Sequence, residues 1–248
     1  LERAAPDSPI TVALQAKMAM AEGNRQEAGN FARRLMPGEG VPADNPAKLA
    51  AVAKLMEDLG FPKAADRVLE QFAAISGDGL VARIEFLGRQ GRGGEALDLL
   101  QANWEIFPLE RAAALAIQVS RNQTDETTAA SVMERVAEIL AKARRVDPGS
   151  LVLKLLDAEF LSLNGRPQES ETIYRELLAA KDLPPVQSAI VANNLAFFLA
   201  KPATATDARK FIDSAIEQLG PLPDLLDTRG LVRLAEGDKQ GAVEDLRE

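Results

Sequence analysis

Apolar positions fall in helix-length blocks separated by short polar stretches that contain glycine, and five of these stretches share one layout. They are MAMAEGNRQEAGNFARRL, LMEDLGFPKAADRVLEQF, LGRQGRGGEALDLL, FLSLNGRPQESETIYREL and VRLAEGDKQGAVEDLRE. Each runs from an apolar helical segment through a glycine and polar residues to a small residue and a second apolar segment. Gly23, Gly60, Gly91, Gly165 and Gly237 are followed five positions later by Ala28, Ala65, Ala96, Ser170 and Ala242. Nine positions after each glycine stand Ala32, Leu69, Leu100, Tyr174 and Leu246. Constant offsets with apolar residues at helical spacing predict two helices joined by a tight turn, repeated along the chain.

The residue types suit that reading. Glycine is favoured just past a helix C-terminus, where the chain enters the left-handed region that penalises a Cβ. Pro62 and Pro167 suit the first positions of the following helix, where a missing N–H is harmless. A small residue five places on lets two antiparallel helices approach closely, and the larger residue after it fills the space between them. Runs of alternating β-branched residues, the mark of strands, are absent.

The turn glycines are 37, 31, 74 and 72 residues apart, so each long gap spans two periods and hides a further repeat. In VANNLAFFLAKPATATDARKFIDSAIEQLGPLP, Leu195, Ala196 and Leu199 belong to a first helix, Ala208, Ile212 and Ala215 to a second, and KPATAT replaces the glycine turn. Between Gly91 and Gly165, residues 109–121 read as one helix, NQTDE as the connection and TTAASVMERVAEILAKARRVDPGS as a longer second helix. Asp147-Pro148 closes that repeat, and Pro108 stands at the same place one repeat earlier. The expected repeats are 9–42, 46–76, 77–108, 109–149, 150–186, 187–221 and a truncated 222–248, stacked as one solenoid over 1–248.

With a period near the roughly 34 residues of that family, the sequence resembles the tetratricopeptide repeat family over essentially its whole length. Leu49, Leu80 and Leu226 stand at its usual Trp position, and Ala19, Met56, Leu87 and Leu199 at its usual Tyr. The resemblance implies an all-α, right-handed α-solenoid of about seven helical hairpins. First helices would line a concave groove that holds a partner protein or peptide. In that register the groove-facing residues are Lys54, Glu57, Glu85, Arg89, Leu155, Glu159, Asn193, Asn194, Phe197 and Leu231. Asparagine at the place of Asn193 and Asn194 often bonds a bound peptide backbone in the family; the alternative is an exposed residue or a bond to the neighbouring repeat. Phe197 reads as an apolar anchor for a partner or, more simply, as a core phenylalanine. The family's basic clamp for acidic C-terminal tails is not expected, because Leu155, Glu159, Asp224 and Thr228 stand at the flanking places.

Composition removes most other chemistry. The 248 residues contain no histidine and no cysteine, which excludes imidazole bases, Ser-His and Cys-His nucleophile systems, thiolate metal sites and disulfides. GRQGRGG offers backbone N–H groups to an anion, but Glu95 and Ala96 follow Gly94 where a nucleotide loop needs Lys-Ser or Lys-Thr. Carboxylate clusters in EDLRE, DAE and ESE lack the apolar surroundings that tune a general acid. Arg229 and Arg233 could grip an anion, with Glu236 and Asp227 placed to neutralise them. Asn122-Gln123-Thr124 fits the glycosylation pattern, which matters only in a secreted eukaryotic protein.

A net charge of −8 opposes attraction to nucleic acid or anionic lipid, which disfavours an RNA-reading repeat. No apolar run approaches the roughly 20 residues that span a bilayer, so direct membrane insertion is not expected. The expectation is therefore a non-catalytic scaffold for a partner protein or peptide, with no cofactor and no metal. The alternative is the recognition arm of a larger enzyme or of a bacterial export or assembly machine. Leu1 in place of methionine and a last repeat that stops in its second helix suggest a piece of a longer protein. The same uncapped repeat could stack end to end on another copy.

Overall fold

The computed structural model describes residues 8–38, 45–180 and 182–247. The chain divides into two compact units, 1–136 and 137–248, each described by itself below. Among the described residues there are fourteen α-helices, one short 3-10 turn at Trp104–Ile106 and no strand. The expected ends of the first repeat at 42 and of the last at 248 lie outside the described residues.

In the first unit, α1 (Pro9–Ala21) pairs with α2 (Arg25–Arg34), α3 (Pro46–Asp58) with α4 (Pro62–Ile75), and α5 (Gly77–Arg89) with α6 (Gly93–Ala102). α7 (Leu109–Ser120) packs on α5 and α6. α8 (Glu126–Val146) follows and contains the division at 136, and its Arg135 reaches back to the Gly94 carbonyl of α6 at 3.0 Å. In the second unit, α9 (Leu151–Leu163) pairs with α10 (Pro167–Ala179), α11 (Pro185–Leu199) with α12 (Ala205–Leu219), and α13 (Pro223–Glu236) with α14 (Lys239–Asp245).

Most helix starts have a local cause. Pro9, Pro46, Pro62, Pro167, Pro185 and Pro223 occupy first helical positions. The Ser8, Asn24, Asn45, Ser76, Ser150 and Asp238 side chains accept N–H donors of the first turn. All five turn glycines adopt left-handed backbone, with φ between +69° and +88°. Without a glycine, KPATAT turns by a different device: the Thr204 hydroxyl donates to the Leu199 carbonyl at 2.7 Å.

The small residues after those turns sit at the centre of each hairpin. Ala28, Ala65, Ala96, Ser170 and Ala242 are each at most 1% exposed. Four of the residues at the ninth position are buried as expected, Ala32, Leu69, Leu100 and Tyr174. Leu246 is the exception at 54% exposure, lying over Gly230. Around Tyr174, the second unit gathers a core of Ala158, Leu177, Leu195, Ala196, Ile212 and Val232 from five helices.

Because the Ala96 side chain has no room to grow, Ala96→Leu is expected to lower stability by about 1–3 kcal/mol. Ala102→Leu, at an exposed position of the same helix, is expected to change it by less than about 0.5 kcal/mol. Urea unfolding of the two variants followed by circular dichroism measures the difference; equal midpoints would remove the close-approach role given to Ala96.

Candidate functional site

The register places candidate residues on the first helices of hairpins in both units. In the first unit, Lys54 and Glu57 lie on α3 and Glu85 and Arg89 on α5. Arg89 makes a two-pronged ion pair with Glu57, both N–O distances 3.0 Å, which ties one hairpin to the next. The hydrogen bond to Glu57 pushes the Arg89 pKa above its ordinary value, with the nearby Glu85 charge adding to it. Lys54 pairs with Asp58 one turn on at 2.6 Å, and that bond raises its pKa in the same way. Glu85 is half-buried beside this group. Lys54 and Arg89 are thus both neutralised by carboxylates of α3.

The second unit presents a different surface. On α11, Val186, Ile190 and Phe197 are 52%, 40% and 55% exposed, and with Asn193 between them their spacing puts all four on one helical face. The opposite face, Ala189, Ala192, Leu195, Ala196 and Leu199, is buried. No charged residue occurs anywhere in α11. α13, packed beside it, adds Leu231 and Leu234 at 41% and 48% exposure. Phe197 is thus a surface residue, and the core reading fails. The core aromatic is its neighbour Phe198, which is half-buried with its ring 5.9 Å from Tyr174 and 6.1 Å, edge-on, from Phe197.

The two asparagines separate. The Asn194 amide donates to the Tyr174 hydroxyl at 3.3 Å, a bond to the neighbouring hairpin. Among the described residues, the Asn193 amide oxygen is buried without a hydrogen-bond partner. Glu159, half-buried on α9, is engaged in an interaction of its own. Leu155 belongs to the core at 8% exposure instead of facing outward, and Thr228 is buried at 5%.

Arg229 and Arg233 do not form an anion grip, and their partner is neither Glu236 nor Asp227. Both converge on Asp245 of α14, which is 4% exposed: Arg229 binds it through two bonds of 3.0 and 2.6 Å, and Arg233 lies 3.1 Å away. Glu236 instead pairs with Arg209 of α12. The EDLRE carboxylate at Asp245 is therefore buried after all, as the latch of the last helix. Sequence spacing favoured the nearby acids because Asp245 approaches only once α14 folds back.

The glycine-rich turn holds no open anion site. The Gly93 N–H at the start of α6 donates to the Gln123 side-chain oxygen at 3.2 Å, and the Gln123 amide donates to the Val119 carbonyl at 2.7 Å. Arg92 bridges Glu95 and Asp66, its pKa raised first by the bond to Glu95 and then by that to Asp66. Among the described residues, no group of three metal-ligating side chains occurs and no helix is long and apolar enough to cross a membrane.

Comparison with solved structures shows what the stacked hairpins are. A tetratricopeptide repeat protein from Parabacteroides merdae matches with a TM-score of 0.57 at 18% identity, over 95% of this chain and 90% of that one. A thermophilic TPR protein of Thermus thermophilus matches at 0.50 and 18% identity, over 77% of this chain and 99% of that one. This chain has the tetratricopeptide-repeat fold. The APC/C hetero-tetramer Cut9-Hcn1 matches at 0.50 and 12% identity, over 99% of this chain but 46% of that one. No family model matches the sequence, and neither does any curated protein. In this tetratricopeptide-repeat array the usual Trp and Tyr anchors are replaced by Leu49, Leu80, Leu226, Met56 and Leu87, which fill the same space, all at most 5% exposed.

Removing the buried carboxylate tests the latch. Asp245→Asn is expected to destabilise by about 3 kcal/mol, because it removes the buried carboxylate that two half-buried guanidinium groups share. Hydrogen exchange across 239–245 is expected to accelerate first; unchanged protection there would show that α14 docks by apolar contact alone.

Proposed function

We propose that this protein is a non-catalytic scaffold that holds a partner protein or peptide on the first helices of its tetratricopeptide repeats, with no cofactor. The observation that carries the reading is the α11 face. A helix without charge exposes Val186, Ile190 and Phe197, and packs beside an α13 that exposes Leu231 and Leu234. Exposed large apolar residues that form a contiguous surface, as opposed to scattered ones, mark interaction sites.

The roles divide by chemistry. Phe197 is the anchor, its ring edge-on to Phe198, and Leu231 extends the apolar surface. Asn193 stands between Ile190 and Phe197 on this face, while Asn194 keeps α11 in place through Tyr174. Glu159 sits on α9 at the register position of Phe197 and Leu231 on the following first helices. In the first unit, Lys54, Glu85 and Arg89 form the polar counterpart of this surface, where pairing of Lys54 with Asp58 and of Arg89 with Glu57 offers specificity more than affinity. The absence of histidine and cysteine and the net charge of −8 support a protein partner over a catalytic or nucleic-acid role.

Capture of partners by the native chain, Phe197→Glu and Ile75→Glu tests this reading. Ile75 is a comparably exposed apolar residue, 46%, on α4 in the first unit. Phe197→Glu is expected to weaken the captured partner by about 2 kcal/mol or more, the scale of an aromatic hot spot, while Ile75→Glu retains it. Retention of the same proteins by both variants would remove α11 from the binding surface, and turnover of a substrate by the isolated chain would remove the non-catalytic reading.

A further inference from the structure

A second surface lies on the first unit, away from the first-helix faces considered above. Between α2 and the start of α4 is a cleft of about 1010 Å3. Its apolar lining includes Met36, Phe61 and Pro62, and Arg25, Arg33, Lys63 and Arg67 line it as well. Among the described residues, no acidic residue lines it.

The four cations of the cleft differ from the arginines held in ion pairs elsewhere in the molecule. Arg83, Arg89, Arg92, Arg135, Arg144, Arg175 and Arg209 are all ion-paired to carboxylates. At the cleft, Arg25 donates to the Gly60 carbonyl at 2.7 Å and lies 5.2 Å over the Phe61 ring, which fixes the guanidinium without neutralising it. Arg33 bonds the Asn30 side chain and the Gly29 carbonyl, both uncharged. Neither Lys63 nor Arg67 has a carboxylate partner among the described residues. Among the described residues, these are four exposed cations without a carboxylate partner, around an apolar floor, in a chain of net charge −8.

We infer that this cleft is a docking site for a short acidic peptide segment of a partner protein, one that interleaves carboxylates with large apolar side chains. The apolar side chain rests on Phe61 and Met36. Its flanking carboxylates reach Arg33 and Arg67, with Lys63 and Arg25 completing the counter-charge. Guanidinium groups suit carboxylates through paired N–H bonds. Chain length decides between a peptide and a nucleic acid. Charges farther than about 8 Å are screened at physiological salt, so a short segment senses mainly the basic rim. A longer polyanion would run onto the acidic remainder of the surface.

Selection of a phage-displayed library of short random peptides on the full chain tests the inference. Enriched peptides are expected to carry acidic residues alternating with leucine, phenylalanine or tryptophan. Synthetic copies are expected to bind the Arg33→Glu, Arg67→Glu variant at least about tenfold more weakly, the loss of roughly one charge-assisted bond. They are expected to bind Phe61→Ala more weakly too, and Phe197→Glu as the native chain does. That last control separates the cleft from the α11 face. If the charge reversal disturbs the circular dichroism spectrum, Arg33→Gln with Arg67→Gln gives the same comparison. The inference is overturned if no peptide is enriched, if enriched peptides show no acidic bias, or if the charge variants bind them equally. An oligothymidylate probe that binds at physiological salt and is lost in the same variants would also overturn it, giving the cleft to nucleic acid.

Discussion

The close approach of the two helices within each hairpin, made possible by one small residue, is the contact on which the other packing is built. Ala28, Ala65, Ala96 and Ala242 fill that place with a methyl group, and at 0 or 1% exposure none has space around it. Ser170 tests the rule by departing from it. A buried hydroxyl without a partner would cost on the order of 1–3 kcal/mol, yet Ser170 donates to the Ala158 carbonyl of the facing helix at 2.7 Å, so the same proximity that demands a small side chain also satisfies a polar one. Size is the requirement, and polarity is tolerated where the facing backbone answers it.

Once the pair is close, the neighbouring positions follow. The turn must reverse the chain within a few residues, which calls for left-handed glycine at Gly91 and its four counterparts. Where residues 200–204 make the connection without one, the Thr204 hydroxyl closes the turn through the Leu199 carbonyl. The ninth position then receives whatever fills the remaining gap: alanine at Ala32, leucine at Leu69 and Leu100, and tyrosine at Tyr174. Tyr174 brings a hydroxyl into the core, and Asn194 of the next hairpin meets it. A residue that looks functional in one register thus serves to join two hairpins, while its neighbour Asn193 keeps an unmet acceptor.

What could be read from the sequence divides along the same line. Helix pairs, turns and buried small residues were legible because each depends on contacts at constant, short offsets. The pairings of charges were not, since Arg89 meets Glu57 across 32 residues and Arg135 meets Asp98 across 37. Arg229 and Arg233 show why proximity in sequence misleads: acids one or two turns away share their helix, but the buried Asp245 gains more from a pair because it has lost its water. Phe197 was ambiguous for a different reason. α11 is apolar on both sides, so periodicity alone does not distinguish its buried face, Ala189 to Leu199, from its exposed one.

The two surfaces argued to bind partners differ in how they escape the constraint that satisfies the rest of the molecule. Many arginines in this acidic chain are spent on joining helices, as in the Asp66, Arg83 and Arg92 cluster between α4, α5 and the turn before α6. The exposed face of α11 opts out by carrying no charge, so nothing competes with burial of Phe197 when an apolar surface arrives. The α2 to α4 cleft opts out by carrying one sign of charge, so its cations cannot satisfy each other. An apolar face of this kind is insensitive to salt, and a basic rim is weakened by it.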